Sequence, residues 1–231
     1  MTEEIQRQKL SWAEKTQILL SYVLRFTLVV AIGLSLYEKN WEDFYVSLLA
    51  LVAFFFPAIV EKNLKITLPV VFEFILFIII YANIFLGFAG QFFVKFWWWD
   101  VLMHSISGVG LGFAGFLILY TFYLNGKIKV RPIFLVFLTF NFALAIGVLW
   151  EIFEFLLDSF LGSNHQNIQT GVKDTMYDLI LDGIGGLFSA ILGYTYILKR
   201  RKGIFFGRLI ESFFSRNPRL NKIRKQFKNE K

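Results

Sequence analysis

The sequence predicts an all-α integral membrane protein: six transmembrane helices, both termini cytoplasmic, and an amphipathic, basic C-terminal tail. Three observations predict it. Hydrophobic residues make up 56% of the 231 positions, and the mean hydropathy is +0.58, too apolar for an ordinary soluble domain. Several apolar runs approach or exceed the ~20 residues that a helix needs to cross a bilayer. Such runs fit helices, because a barrel would show ~10-residue alternating strands. Finally, lysine and arginine gather in alternate connections, as they do in a multi-pass membrane protein.

The elements follow in order. Residues 1–17 read as an N-terminal cytoplasmic arm, a short interfacial helix or a disordered segment, with apolar Ile5, Leu10 and Trp12. No small-residue cleavage site follows the first apolar run, which argues against a cleaved signal peptide. Residues 18–198 form the transmembrane domain. Its spans run from Ile18 to Tyr37, Phe44 to Val60, Leu68 to Ala89, Asp100 to Phe122, Pro132 to Leu157 and Asp174 to Leu198. Glu61 to Lys65 reads as a charged connector, and Trp97-Trp98-Trp99 suit a membrane–water interface. Pro132 opens span five, where a missing N–H costs little. The longest polar connector is Ser159 to Lys173.

From 199 to 231 the tail carries twelve Lys/Arg and two Asp/Glu, a charge of +10 within a chain total of +7. Apolar Ile204, Phe205, Leu209 and Phe213, then Leu220, Ile223 and Phe227, alternate with basic residues. They fit amphipathic helices lying on the membrane and broken near Pro218. Such a tail after a span faces the bilayer and its anionic lipid, and nucleic acid is not an expected partner.

Orientation follows from the basic residues. Arg7, Lys9 and Lys15, then Lys62 and Lys65, then Lys127, Lys129 and Arg131, and finally the tail fall on one side of a six-span chain. The other side holds only Lys39, Lys95 and Lys173. The positive-inside rule makes the richer side cytoplasmic.

Within that topology the acids converge. Asp100 and His104 sit at the outer end of span four, and Glu151 and Glu154 near the outer end of span five. Asp174, Asp178 and Asp182 descend from the outer mouth of span six. At 1.5 Å rise per residue, Asp182 lies roughly 12 Å below Asp174. Residues four apart share a helix face, so each polar stripe continues into a small-residue stripe. Those stripes are Gly108 and Gly112, Ala143 and Gly147, and Gly186, Ser189 and Gly193. Small residues let membrane helices approach closely. The plainer alternative is a set of unrelated structural polar groups. An acid at a helix end reaches water, but Glu151 and Asp182 lie deeper, where a charge costs ~2.5–3.5 kcal/mol. Elsewhere, Arg25 and Glu73 read as an inner-half pair or a snorkelling arginine. Asn83 and Asn141 read as glue between helices, and His165 as a solvated loop residue.

No cysteine is present, which removes disulfides, thiolate ligands and cysteine nucleophiles. One histidine among carboxylates suits a divalent cation such as Mg²⁺, Mn²⁺, Ca²⁺ or Zn²⁺. The candidate ligands are Asp100, His104, Glu151, Glu154, Asp174, Asp178 and Asp182. His104, Glu151 and Glu154 are the candidate catalytic acids and bases. Three readings use these residues: a metal-dependent enzyme acting on a lipid or lipid-linked envelope substrate, a proton- or cation-coupled transporter, and a non-catalytic envelope factor. No phosphate loop, zincin motif, nucleophile elbow or dinucleotide fingerprint is present. The sequence leaves the oligomeric state open.

The ordered set Asp100-x-x-x-His104, Glu151-x-x-Glu154 and Gly171-x-x-Asp174-x-x-x-Asp178 resembles the YjdF-like family of bacterial inner-membrane proteins. It is more distantly similar to VanZ-like membrane proteins. The resemblance covers roughly residues 70–198 and implies a multi-pass plasma-membrane protein without implying a reaction. Asp182-Gly183 stands where the VanZ-like pattern tends to have Asn-Gly.

Overall fold

A computed structural model of the chain describes residues 11–161, 171–199 and 205–229. The expectations for Ile5, Arg7, Lys9, Leu10, His165, the basic run 200–202 and Ile204 lie outside the described residues. Among the described residues the fold is entirely helical. Six helices are long and apolar enough to cross a membrane: Trp12–Glu38, Trp41–Leu64, Val70–Ala89, Trp99–Leu124, Pro132–Phe160 and Val172–Leu198. Large apolar side chains along them stand exposed, among them Phe26, Val52, Ile78, Phe137, Leu149 and Ile184. A water-soluble fold would bury that surface, and a bilayer solvates it. The helices form two compact units, one up to Phe85 and one from Leu86.

The first unit holds α1 (Trp12–Glu38), α2 (Trp41–Ala53), α3 (Phe56–Leu64) and α4 (Val70–Ile80). α1 begins at Trp12, so residues 12–17 are helical and continuous with the first span. The cause is a capping box: the Glu14 amide donates to Ser11 Oγ at 3.2 Å, and the Ser11 amide donates to the Glu14 carboxylate at 2.8 Å. The second span is broken between α2 and α3. Pro57 lacks the N–H that would bond Ala53, and the Phe55 amide bonds Val52 O instead, at 3.0 Å. The chain then stays helical to Leu64, so most of the supposed connector Glu61–Lys65 is helix. α4 widens into a π-helix over Tyr81–Ala89. At its start the Asn83 side-chain amide donates to Ile79 O at 3.0 Å, competing for the carbonyl that an α-helix would give the Asn83 N–H. Arg25 lies 4.9 Å from the Phe77 ring centre, and with Glu73 it lines a cavity of about 170 Å³.

The second unit holds α5 (Phe92–Lys95), α6 (Trp99–Leu124), α7 (Pro132–Leu161), α8 (Val172–Lys199), α9 (Phe205–Arg216) and α10 (Pro218–Asn229). Pro132 occupies the first position of α7, as its geometry favours. Asn141 is not glue between helices: its amide donates to Phe137 O of its own helix at 2.8 Å, from an exposed position. The tail breaks at Asn217, beside Pro218, into two amphipathic helices. The apolar face of α9 is not left for lipid. Phe206, Leu209, Ile210, Phe213 and Phe214 are buried. Phe206 packs edge-on against Phe113 at 4.6 Å, and Phe214 against Tyr120 at 5.8 Å. Burying five such side chains outweighs the exposure of a few basic ones.

Candidate metal centre

The site lies at one end of three helices. α6 leaves this end with Asp100 in its first turn and His104 one turn on. α7 arrives with Glu151 and Glu154, and α8 leaves with Asp174, then Asp178 and Asp182. The four-residue spacing turns each set toward its neighbours.

Small residues bring the backbones together. A Cβ on Gly108 would stand 2.7 Å from the Asp182 carbonyl oxygen, and one on Gly185 would stand 2.6 Å from the Val109 nitrogen. A Cβ on Gly112 would meet Gly186 Cα at 2.9 Å. On the α7 side, a Cβ on Gly186 would meet the Ala143 methyl at 2.6 Å, and one on Gly147 would collide with the Asp182 carboxylate. Ser189 then ties α8 to α6 by donating to Val109 O at 2.7 Å. The missing side chain at Gly147 is what gives the Asp182 carboxylate its room. Each close approach therefore fixes where an acid sits.

His104 is the centre of the cluster and is only 5% exposed. Its Nδ1 lies 3.2 Å from Asp182 Oδ2, a hydrogen bond between α6 and α8. Its Nε2 lies 3.6 Å from Asp100 Oδ1 and 3.7 Å from Glu151 Oε1. Donor atoms of Asp100, His104 and Asp178 fall within 4.8 Å of one another, close enough to hold a metal ion together. Glu154 stands outside that group of three. It is buried one turn beyond Glu151 and accepts a 2.9 Å hydrogen bond from the Trp150 indole. Asp174 also stands outside, half-buried at the mouth. Exposure falls along the ladder, from a partly open Asp174 to 5% at Asp178 and 2% at Asp182. The sequence reading missed Trp150, although its four-residue spacing to Glu154 is a readable signal. Gly185 belongs to the glycine-rich run that follows Asp182, and its three-residue spacing puts it on nearly the same face.

An imidazole that donates its Nδ1 proton to Asp182 leaves its Nε2 lone pair facing Asp100 and Glu151. That is the carboxylate–histidine arrangement that orients a metal-binding nitrogen. The surroundings are otherwise poor for free carboxylates, since α7 and α8 screen Glu151 and Asp182 from water.

Residues 19–199 match the family described as "Predicted membrane protein (DUF2238)". The chain belongs to this family. The DUF2238 match encloses all seven candidate residues of α6, α7 and α8 and ends at Lys199, ahead of α9 and α10. A Thermotoga maritima protein described as an uncharacterized protein is 30% identical over 161 residues, covering 67% of this chain and 76% of the relative. No solved structure matches the DUF2238 chain.

Proposed function

We propose that this protein is a divalent-cation-dependent enzyme of the bacterial plasma membrane, of YjdF-like type, acting on a lipid or lipid-linked envelope substrate. Asp100, His104 and Asp178 hold the cation, Asp182 positions His104, and Glu151 and Glu154 are the acid–base groups nearest to it. The observation that carries the reading is the two-sided setting of His104. One ring nitrogen is hydrogen-bonded to a buried carboxylate, while the other faces carboxylate oxygens at 3.6 and 3.7 Å. Those distances are long for hydrogen bonds. The 3.6 Å to Asp100 suits neighbouring ligands of one ion, since ligands ~2.1–2.4 Å from a cation stand roughly 3–4 Å apart. The 3.7 Å to Glu151 leaves that carboxylate beside the ion as an acid–base group.

A cation there offsets the repulsion among the carboxylates. When bound, it supplies Lewis-acid polarisation of a phosphoryl or carbonyl oxygen, or a water activated at neutral pH. Asp100 remains 29% exposed in its side chain, so the mouth is reachable. Exposed Val101, Leu102 and Trp98 beside it suit an amphipathic substrate.

Passage of an ion through the same site requires a polar route toward the Leu124 end of α6. There Gly112 and Gly186 close on each other, and Phe113, Phe116, Tyr120 and Phe206 fill the space beyond. This packing supports the enzyme reading over transport. The positive-inside rule sets the site on the outer side and the basic tail against the anionic inner leaflet.

Elemental analysis of the purified protein tests the cation. After equilibration with Mg²⁺, Mn²⁺, Ca²⁺ or Zn²⁺ and desalting, wild type retains a stoichiometric ion, which His104→Ala and Asp178→Asn lose. Wild type that retains no ion in any of these conditions overturns the metal reading. Incubation with an envelope lipid extract tests the chemistry: wild type alters the lipid mass spectrum only with metal present, and His104→Ala does not. Retention of the ion with an unchanged spectrum favours the non-catalytic envelope factor.

A further inference from the structure

At the opposite end of α6 and α7, the turn 125–131 and the last helix border a shallow, open groove of about 470 Å³. Its floor is aromatic: Tyr123 and Phe227 meet edge-on at 5.2 Å. Ile128 and Val130 add apolar wall, and Lys129 and Arg131 supply the charge, with no acidic residue in the lining. Both basic residues are exposed, and no hydrogen bond or ion pair among the described residues engages either side chain. The groove sits where two candidate spans end, the place that meets lipid headgroups when those helices cross a bilayer. From its Arg131 rim, Ile133, Phe134 and Phe137 stand exposed along the first turns of α7, 54%, 44% and 56% open. Two cations without a partner among the described residues, over an apolar floor and next to an exposed apolar strip, match a phosphate with acyl chains attached.

We propose that this groove binds the headgroup of an anionic phospholipid, its phosphate on Lys129 and Arg131 and its chains along Ile133, Phe134 and Phe137. Basic pockets at the ends of transmembrane helices recognise phosphate-bearing lipids by this chemistry. The apolar face of α9 does not take this role, because α9 spends that face on α6. The acyl-chain contact falls on the turn between α6 and α7 and the start of α7, in addition to the charge attraction between the basic tail and the inner leaflet, and it does not depend on the cation site.

The test is lipid retention by the full-length protein in nanodiscs containing phosphatidylglycerol and phosphatidylcholine, read by mass spectrometry after transfer to detergent. Wild type retains phosphatidylglycerol preferentially. Lys129→Gln with Arg131→Gln lowers that preference roughly 10- to 30-fold, as expected for two basic contacts. Arg208→Gln with Lys222→Gln removes equal charge from exposed tail positions and leaves the preference in place. Equal losses in the two double variants, or no loss in the first, overturn the proposal. Inorganic phosphate that raises the thermal midpoint as much as phosphatidylglycerol does also overturns it, by assigning the groove to the free ion. A photoreactive phosphatidylglycerol provides an arm that needs no variant. On wild type it labels peptides 123–137 and 218–229 above the other spans, and uniform labelling refutes the site.

Discussion

Asp182 and His104 decide what the buried cluster can do. Asp182 is 2% exposed and reaches His104 only because Gly147 leaves it space. Removing its charge keeps the shape but weakens its hold on Nδ1. Loss of such an outer carboxylate typically costs 10- to 100-fold in metal affinity. Asp182→Asn should therefore bind the preferred cation roughly 10- to 100-fold more weakly in a chelator-competition titration. Asp174→Asn, at the half-buried mouth, should change affinity far less. Equal effects would mean that the acids act only as a diffuse negative field. At this scale the acids were readable, because an ionisable residue in an apolar run is conspicuous. The pairing of Asp182 with Nδ1 was not, since helix spacing tells which face a residue is on and not which atom it meets. Trp150 escaped because an aromatic in a membrane span looks like lipid-facing bulk until its indole is seen on Glu154.

Helix elements are held by two different devices. Between α6 and α8 it is the absence of side chains. A Cβ on Gly185 would meet Val109 N at 2.6 Å and Gly108 C at 2.8 Å, backbone atoms that cannot turn aside. Gly185→Ala should cost about 1–3 kcal/mol of stability as overpacking, with the site's metal affinity falling in parallel. Gly33 in α1 has nothing within 4 Å, and Gly33→Ala should be neutral or stabilising by roughly 0.5–1 kcal/mol. Thermal midpoints of the two variants in one detergent check the contrast. Between the tail and α8 the device is a buried arginine. Arg224 donates to Tyr196 Oη at 2.7 Å and to Glu211 Oε2 at 3.0 Å, and it lies over the Phe214 ring. Arg224→Met keeps the stem and deletes the charge-assisted bonds, a loss of about 2 kcal/mol. Limited proteolysis should then clip α9–α10 many times faster while α6–α8 stay intact. A tail as resistant as wild type would show that the aromatic packing of α9 suffices alone. Span ends were less legible than spans. The Ser11–Glu14 box and Pro57 each carry a readable signal, whereas the π-helix after Ile80 depends on where the Asn83 amide turns.

Across the whole molecule, composition made the membrane legible but hid the division into two units, because lipid-facing and helix-facing residues are equally apolar. The distribution of glycine carries the missing signal: of 17 glycines, only Gly33 precedes Leu86. The unit that needs close backbone approach is the one that holds them. Topology is then the property on which the proposed outer site depends. Six crossings return the chain to its starting side. By the positive-inside rule Lys127, Lys129 and Arg131 predict a cytoplasmic turn between α6 and α7, and with it an outward Asp100 end of α6. The natural absence of cysteine makes single introduced cysteines unambiguous reporters. Lys95→Cys lies just before the Asp100 end of α6, and Lys127→Cys lies past its Leu124 end. In intact cells an impermeant maleimide should label Lys95→Cys at once and Lys127→Cys only after lysis. The reverse pattern would turn the carboxylate cluster toward the cytoplasm and exclude a substrate from the outer leaflet. It would leave the geometry around His104 untouched, so the side of the membrane and the cation chemistry can fail separately.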